Sequence, residues 1–410
     1  MLGANPFPDF MNPERAEAYR RLREGPRIFQ STKDAAWVLT RYADVSSILR
    51  HPSAQAIQYG QFFHELDKRG NLGLTKLRTG CLAIPLFLRP PRHDDIRRII
   101  AQLLGNFRRT GLPESLSGRV DSILSSGHAK GEIELVREFG REIALCSIAS
   151  ILGLPAHELA RLVDEGSELI VIFDRFPPSI NRLKKLNCAA EFVLGYFADA
   201  IAERRKSGAP VADGLSLLMR QAEETGACSD DDIAGFCSFF FFAGVLTTAA
   251  ALSDCALCLL SDSELRERLV REPSLLPSFA REILRLSSPV KYISREMRDD
   301  TEIAGTTVRS GDHVVLMLDV ANRDSEVFPN PDVLDMSRDG PEPLTFAAGP
   351  YRCLGGQLAT FEVELAAKKL LEWPSLRWSP HELEWQENAN IAGLRYLHGH
   401  YGSEGSYGGK

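Results

Sequence analysis

Apolar residues recur at three- and four-residue spacing through RIIAQLLGNF (98–107), REIALCSIASILGL (141–154), AEFVLGYFADAIAERR (190–205) and LLPSFAREILRL (275–286). This is the stripe that an amphipathic helix turns toward a core. The pattern predicts helices with little interruption from about residue 90 to 290. Between 291 and 320 the character changes, because HVVLMLDV and TTVRSGDH carry β-branched residues punctuated by glycine and charge, which predicts short strands. An irregular stretch with Pro341, Pro343, Gly349 and Pro350 follows Pro331, and a further helix is expected from Leu354 onward. The fold expected is mainly α with small β-sheets.

The segment Ser229 to Leu260 stands apart. Ser229 followed by Asp230, Asp231 and Asp232 sets a cap and three carboxylates at the positive end of a helix. The helix then runs apolar almost all round through FCSFFFFAGVLTTAAAL, for a length of roughly 45 Å. A water-facing surface does not carry four consecutive phenylalanines, so this helix is expected to cross the middle of the molecule. The length of 410 residues suggests two or three domains by size alone. A single central helix and the lack of any linker argue instead for one large helical domain over 1–401. The polar, glycine-rich residues 402–410 are expected to be a disordered tail.

Apolar residues make up 44% and charged residues 25%, which excludes a disordered or fibrous chain. The net charge of −7 argues against a nucleic-acid binder, which needs a basic surface to neutralise phosphates. Prolines and charges break up the first 26 residues, leaving neither a signal-peptide core nor a membrane anchor, and a cytoplasmic location is expected. Of eight cysteines, Cys146, Cys237, Cys255 and Cys258 sit among apolar neighbours and read as reduced core residues. Cys255 and Cys258 form a C-x-x-C, but no second pair completes a zinc site, so helix packing is the expectation.

The segment LTFAAGPYRCLGGQLATFE places Phe346, Gly349, Cys353 and Gly355 in the pattern F-x-x-G-x-x-x-C-x-G. It resembles the cysteine-ligand loop of cytochromes P450, and nearly the whole chain can be laid along that family. The resemblance implies haem b, with Cys353 on the iron. Its physics is direct: glycines let a loop turn tightly beneath a flat cofactor, and a helix starting nearby presents free amides and a positive dipole end to the sulfur. Both favour thiolate over thiol. Phe346 would pack on the loop and limit water.

Glu282 and Arg285 have E-x-x-R spacing, which alone is a common surface pair. Followed by SSPVKYISR and FPNPDVLDMSR, they match the family, which implies a buried structural network of Glu282, Arg285 and Arg338. The resemblance likewise assigns His93 and Arg97, one turn apart after Pro90 and Pro91, and Arg295 to the haem propionates. Here the chain departs from the family. Tyr351 stands where histidine or arginine usually meets a propionate, and a phenol offers one hydrogen bond without charge.

FFAGVLTTAA resembles the family's oxygen-activation stretch, A/G-G-x-D/E-T-T. It implies that Ala243 and Gly244 leave room above the iron, and that Thr247, followed by Thr248, supplies the alcohol beside bound oxygen. Out of context, threonines bonded back to their own helix would be the plainer reading. The acidic position holds Leu246, so the usual carboxylate proton relay is missing. Substrate or ordered water, another residue, or chemistry that uses peroxide or avoids oxygen cleavage remain open.

The family's substrate positions map to about Gln55 to Pro90, Phe173 to Leu186, Phe239 to Thr247, Val290 to Ser294 and Asn390 to Gly393. They include Phe239, Phe240, Val290, Lys291, Ile293 and Ile391, and imply a hydrophobic small molecule such as a terpenoid, steroid, polyketide or fatty acyl group. Lys291 could meet a carboxylate or face solvent. With no flavin or nicotinamide domain, electrons are expected from ferredoxin and ferredoxin reductase, docking near Arg98, Arg108, Arg109 and Arg352 on a monomer. The leading expectation is a monooxygenase; a haem-thiolate peroxygenase or isomerase, or a non-catalytic haem ligand-binding protein, are the alternatives.

Overall fold

The computed structural model describes residues 13–402, apart from 33–34, 58, 69, 71, 106, 110, 174–177, 208–212, 227 and 387–389. The chain gathers into two compact units. One comprises Met1–Ala54, Glu114–Ala144 and Thr247–Lys410, and the other Gln55–Pro113 and Leu145–Leu246. The expected tail lies outside the described residues except for Gly402, whose amide donates to the Ser375 carbonyl at 3.1 Å.

The first unit carries the sheets. Five strands run in the order Ile28–Gln30, Trp37–Leu39, His313–Met317, Tyr292–Met297 and Ala54–Gln55. Trp37–Leu39 lies parallel to His313–Met317, and Tyr292–Met297 lies antiparallel to it, with Arg295 opposite Val314. Val314, Val315 and Leu316 are all buried, the unbroken apolar run of a strand covered on both faces. Val314 and Leu316 pack with Leu39, Val45, Ile48, Leu49 and Leu344 in one core, and Val315 packs on the other face with Ala36 and Val38. The expected strand HVVLMLDV ends at Met317, and Leu318–Ala321 turns into a short helix. Of TTVRSGDH, Thr306–Val308 is strand, paired with Thr301–Ile303, and His313 begins the next strand.

A second sheet was not legible in the helical pattern. Glu132–Glu134, Leu394–Tyr401 and Leu376–Trp385 form three antiparallel strands. Leu135–Arg141 then winds as a π-helix before the α-helix Glu142–Leu152. Within the π-helix Gly140 packs closely, since a Cβ there would lie 2.8 Å from both the Ala249 carbonyl and Ser253 Oγ.

The long helix is Asp230–Ser261. Ser229 Oγ accepts from the Asp232 amide at 3.2 Å while the Ser229 amide donates to Asp232 Oδ2 at 3.0 Å, a reciprocal cap. Among the described residues it is the single helix long and apolar enough to cross a membrane, yet 72% of its most apolar window is buried within the protein. That burial is the property of a core helix. In the second unit Phe63, Leu77, Ile172, Leu183 and Leu186 form the main core, with Phe87, Phe173 and Phe239 packed against it.

Candidate active site

Cys353 sits in a loop held from both sides. Its amide donates to the Phe346 carbonyl at 2.8 Å, closing a turn that includes short helical turns at Leu344–Phe346 and Gly349–Tyr351. Gly349 has φ of 70°, and a Cβ there would lie 2.3 Å from the Leu49 carbonyl, so glycine is demanded both by conformation and by the neighbouring helix Tyr42–Arg50. The following helix starts at Gly356, with Gly355 as its cap, two residues later than expected. Cys353 therefore lies just ahead of a helix N-terminus and is exposed. A Cβ on Gly355 would stand 3.8 Å from its sulfur, and one on Gly356 would be 3.2 Å from the Phe346 ring.

The other cysteines contrast with it. All eight are free thiols, and Cys237, Cys255 and Cys258 are buried, with burial pushing each thiol well above its ordinary value. Cys81 is pushed up to about 12 by the same cause. Cys146, expected in the core, is half-buried.

Glu282, Arg285 and Arg338 come together. Glu282 receives Arg285 Nε and Nη2 at 2.8 Å each and Arg338 Nε at 3.3 Å. Arg285 also donates to the carbonyls of Asn322, Pro331 and Val333, and the Asp335 amide adds a further bond to Glu282 at 3.0 Å. Asn322 extends the support to the cysteine loop: its Oδ1 accepts from the Leu344 amide at 2.6 Å and its Nδ2 donates to Thr345 Oγ1 at 3.0 Å.

Arg295 is 2% exposed. Its Nη1 donates to the Ser294 carbonyl at 2.9 Å, but Nη2 is buried without a hydrogen-bond partner, and among the described residues no carboxylate pairs with it. Desolvation pushes the guanidinium down to about 10. Its cationic carbon lies 4.7 Å from the centre of the Tyr351 ring. Tyr351 thus offers a π-face to Arg295, an arrangement that sequence spacing could not reveal.

On the long helix, every residue from Ile233 to Leu260 is buried except Phe239, Ala243, Gly244, Leu246 and Thr247. At helical spacing Phe239, Ala243, Leu246 and Thr247 fall on one face, a half-buried stripe on an otherwise covered helix, with Gly244 at its side. Thr248 and Phe240 lie off it: both are buried, and Phe240 rests on Phe236 with ring centres 5.9 Å apart. Gly244 has a packing reason beyond leaving room, because a Cβ there would lie 2.4 Å from Ile148 Cδ1. Phe239 continues into an aromatic row with Phe173 at 6.1 Å and, beyond it, Phe87 at 5.3 Å.

Val290 pairs with Ile391 in an isolated antiparallel bridge, and the Lys291 amide donates to the Asn390 carbonyl at 2.9 Å. Ile391 is buried, while Val290, Lys291 and Ile293 are half-buried. In the second unit His93 is buried at the start of the helix Arg92–Gly105, its Nδ1 2.7 Å from Asp94 Oδ1, with half-buried Arg97 one turn on. Arg98 is paired with Asp95 at 3.1 Å and Arg108 lies over the Phe107 ring, whereas the Arg109 side chain lies outside the description.

The family model for cytochrome P450 matches residues 157–391. A biotin biosynthesis cytochrome P450 of Bacillus subtilis is 30% identical over 73% of this chain and 75% of its own length. A vitamin D(3) 25-hydroxylase of Pseudonocardia autotrophica is 28% identical over 94% and 93%. Among solved structures, P450BioI in complex with an acyl carrier protein ligated to hexadec-9Z-enoic acid superposes with a TM-score of 0.83 at 27% identity, covering 96% of this chain and 99% of that one. A myxobacterial cytochrome P450 bound to myristic acid gives 0.84 at 26% identity, covering 97% and 100%.

Proposed function

The chain belongs to the cytochrome P450 family, and from that premise we propose that Cys353 ligates the iron of haem b in a monooxygenase acting on a hydrophobic small molecule. The observation that carries this reading is the exposed thiol of Cys353 ahead of the helix Gly356–Leu371, on a loop that packs closely on the Leu49 carbonyl at Gly349. The buried, anion-less Arg295 fits the same group, since a desolvated cation gains from the propionate it lacks. His93 and Arg97 are the further propionate partners. Once bound, haem supplies the chemistry of dioxygen reduction and transfer of one oxygen atom to substrate.

The protein's own residues do the rest. Phe346, packed against Gly356, would limit water at the cysteine loop once haem is in place. Tyr351 holds the Arg295 guanidinium over its ring and so orients the charge instead of adding a second one. Ala243 and Thr247, with Gly244 beside them, give the half-buried helix stripe a small, hydroxylated stretch in which Thr247 positions a proton by hydrogen bonding, with Thr248 buried behind. Phe239, Val290, Lys291, Ile293 and Ile391 line the place of the substrate, with buried Phe240 backing it.

Bacterial relatives act on or bind a range of lipid-like molecules, which supports a terpenoid, steroid, polyketide or fatty acyl substrate here. Electrons come from ferredoxin and ferredoxin reductase. Purified protein is expected to give a substrate-type spectral shift with myristic acid or testosterone and to form product with NADPH, ferredoxin and reductase. Silence toward a broad hydrophobic panel would overturn the substrate class.

Leu246 lies on the half-buried stripe at the position of the family's acid. Protons then come through substrate or ordered water. Leu246→Asp is expected to shift the ratio of product formed to reductant consumed by about tenfold; an unchanged ratio would show the position to be irrelevant. The same residue favours a second reading, peroxygenase chemistry, for which turnover by peroxide alone would be the sign.

A further inference from the structure

From the three-stranded sheet we infer a second metal site, a divalent transition-metal site of zinc type formed by Glu132, His398 and His400. The two histidines alternate along the strand Leu394–Tyr401 and so share one face, and Glu132 stands directly across from His400 on the strand Glu132–Glu134. One ligand atom from each residue lies within 4.8 Å of the other two, and His398 Nε2 is already 3.2 Å from Glu132 Oε2. Around a tetrahedral ion with bonds near 2.0–2.1 Å, ligand atoms sit roughly 3.4 Å apart, so side-chain rotation of about an ångström closes the set.

The surroundings favour a ligand role. Tyr396, on the same face, has its hydroxyl 2.8 Å from His398 Nδ1, which fixes the ring and leaves Nε2 for the metal. Gly399 packs inward, where a Cβ would lie 3.0 Å from Leu376 Cδ1, so the strand sits tight while both imidazoles face outward. Glu134, also on that face, is committed to the amides of Val136, Arg137 and Leu397. Arg377, opposite His400 on the far side, donates to the carbonyls of Pro374 and Leu376. Two imidazoles and one carboxylate make a donor set that takes Zn²⁺, Ni²⁺ or Cu²⁺ and leaves a position for water. The bound ion would tie the strand Leu394–Tyr401 to residues 132–134, and binding to the folded form alone stabilises it by mass action.

The test is calorimetric titration of Zn²⁺ into tag-free holoenzyme that has been treated with chelator and desalted. One saturable equivalent is expected. His398→Ala and His400→Ala should each weaken it at least tenfold, and Tyr396→Phe by about tenfold. Glu132→Gln, at an exposed position that leaves folding intact, should weaken it several-fold, and the carbon-monoxide spectrum reports folding in every variant. Absence of a saturable equivalent, or one whose affinity is unchanged in Glu132→Gln and in the folded histidine variants, overturns the site.

Discussion

Replacing Glu282 with alanine is expected to destabilise the protein by about 3–5 kcal/mol and to leave most of the purified chain without haem. Arg285 has no exposed surface, and its charge is answered by both oxygens of Glu282. Without that carboxylate a full cation stays in the interior, with the carbonyls of Asn322, Pro331 and Val333 and the Phe328 ring around it but no anion. The damage travels along the chain, because Asn322 holds Leu344 and Thr345 at the start of the cysteine loop. Denaturant unfolding and the ratio of haem to protein measure the two effects. Arg338→Ala should be milder, since Arg338 shares Glu282 with Arg285 and the pair survives it. A Glu282→Ala protein within about 0.5 kcal/mol of the parent, the range of an ordinary surface change, would contradict a buried network.

The long helix was legible because its cap, its length and its apolar girth are all local properties of the sequence. Ser229 caps it as expected, and Asp232 adds the return bond to the Ser229 amide. The cysteine segment was legible for a different reason: a tight loop demands glycine at Gly349, and the spacing of Gly349 and Gly355 from Cys353 survives in the string. What could not be read comes from contacts between residues remote in sequence. The close approach of Gly140, inside the π-helix Leu135–Arg141, to Ala249 and Ser253 is such a contact, and nothing in 135–141 announces it. The strand Glu132–Glu134 exists through its pairing with Leu394–Tyr401, and three residues are too few for periodicity.

Tyr351 shows the same limit in the site. Read as a chain position it was a missing charge, whereas its ring lies under Arg295, a residue of another element. Phe239 and Phe240 were equivalent in the sequence, yet helical rotation sets Phe239 on the half-buried stripe and buries Phe240 against Phe236. The distinction needs the neighbours of the helix. Burial of the helix elsewhere also explains why Leu246 stands out: it shares its face with Ala243 and Thr247, where a carboxylate would have been in reach of the same space.

Cys353→Ser carries the largest expected effect on the chemistry. Serine preserves the size of the side chain and the amide bond to Phe346, so the loop should keep its shape. It removes the soft, readily ionised sulfur, and an alkoxide is far harder to form beside the same helix N-terminus than a thiolate. Monooxygenase turnover should fall at least a thousandfold, on the order of 4 kcal/mol in barrier. The seven other cysteines remain in the variant, so any of them could still reveal itself as the ligand. The direct measurement is the difference spectrum of the dithionite-reduced, carbon-monoxide-bound variant beside the parent. The parent should show the thiolate-type band and Cys353→Ser should lack it; persistence of that band in the variant would contradict Cys353 as the iron ligand.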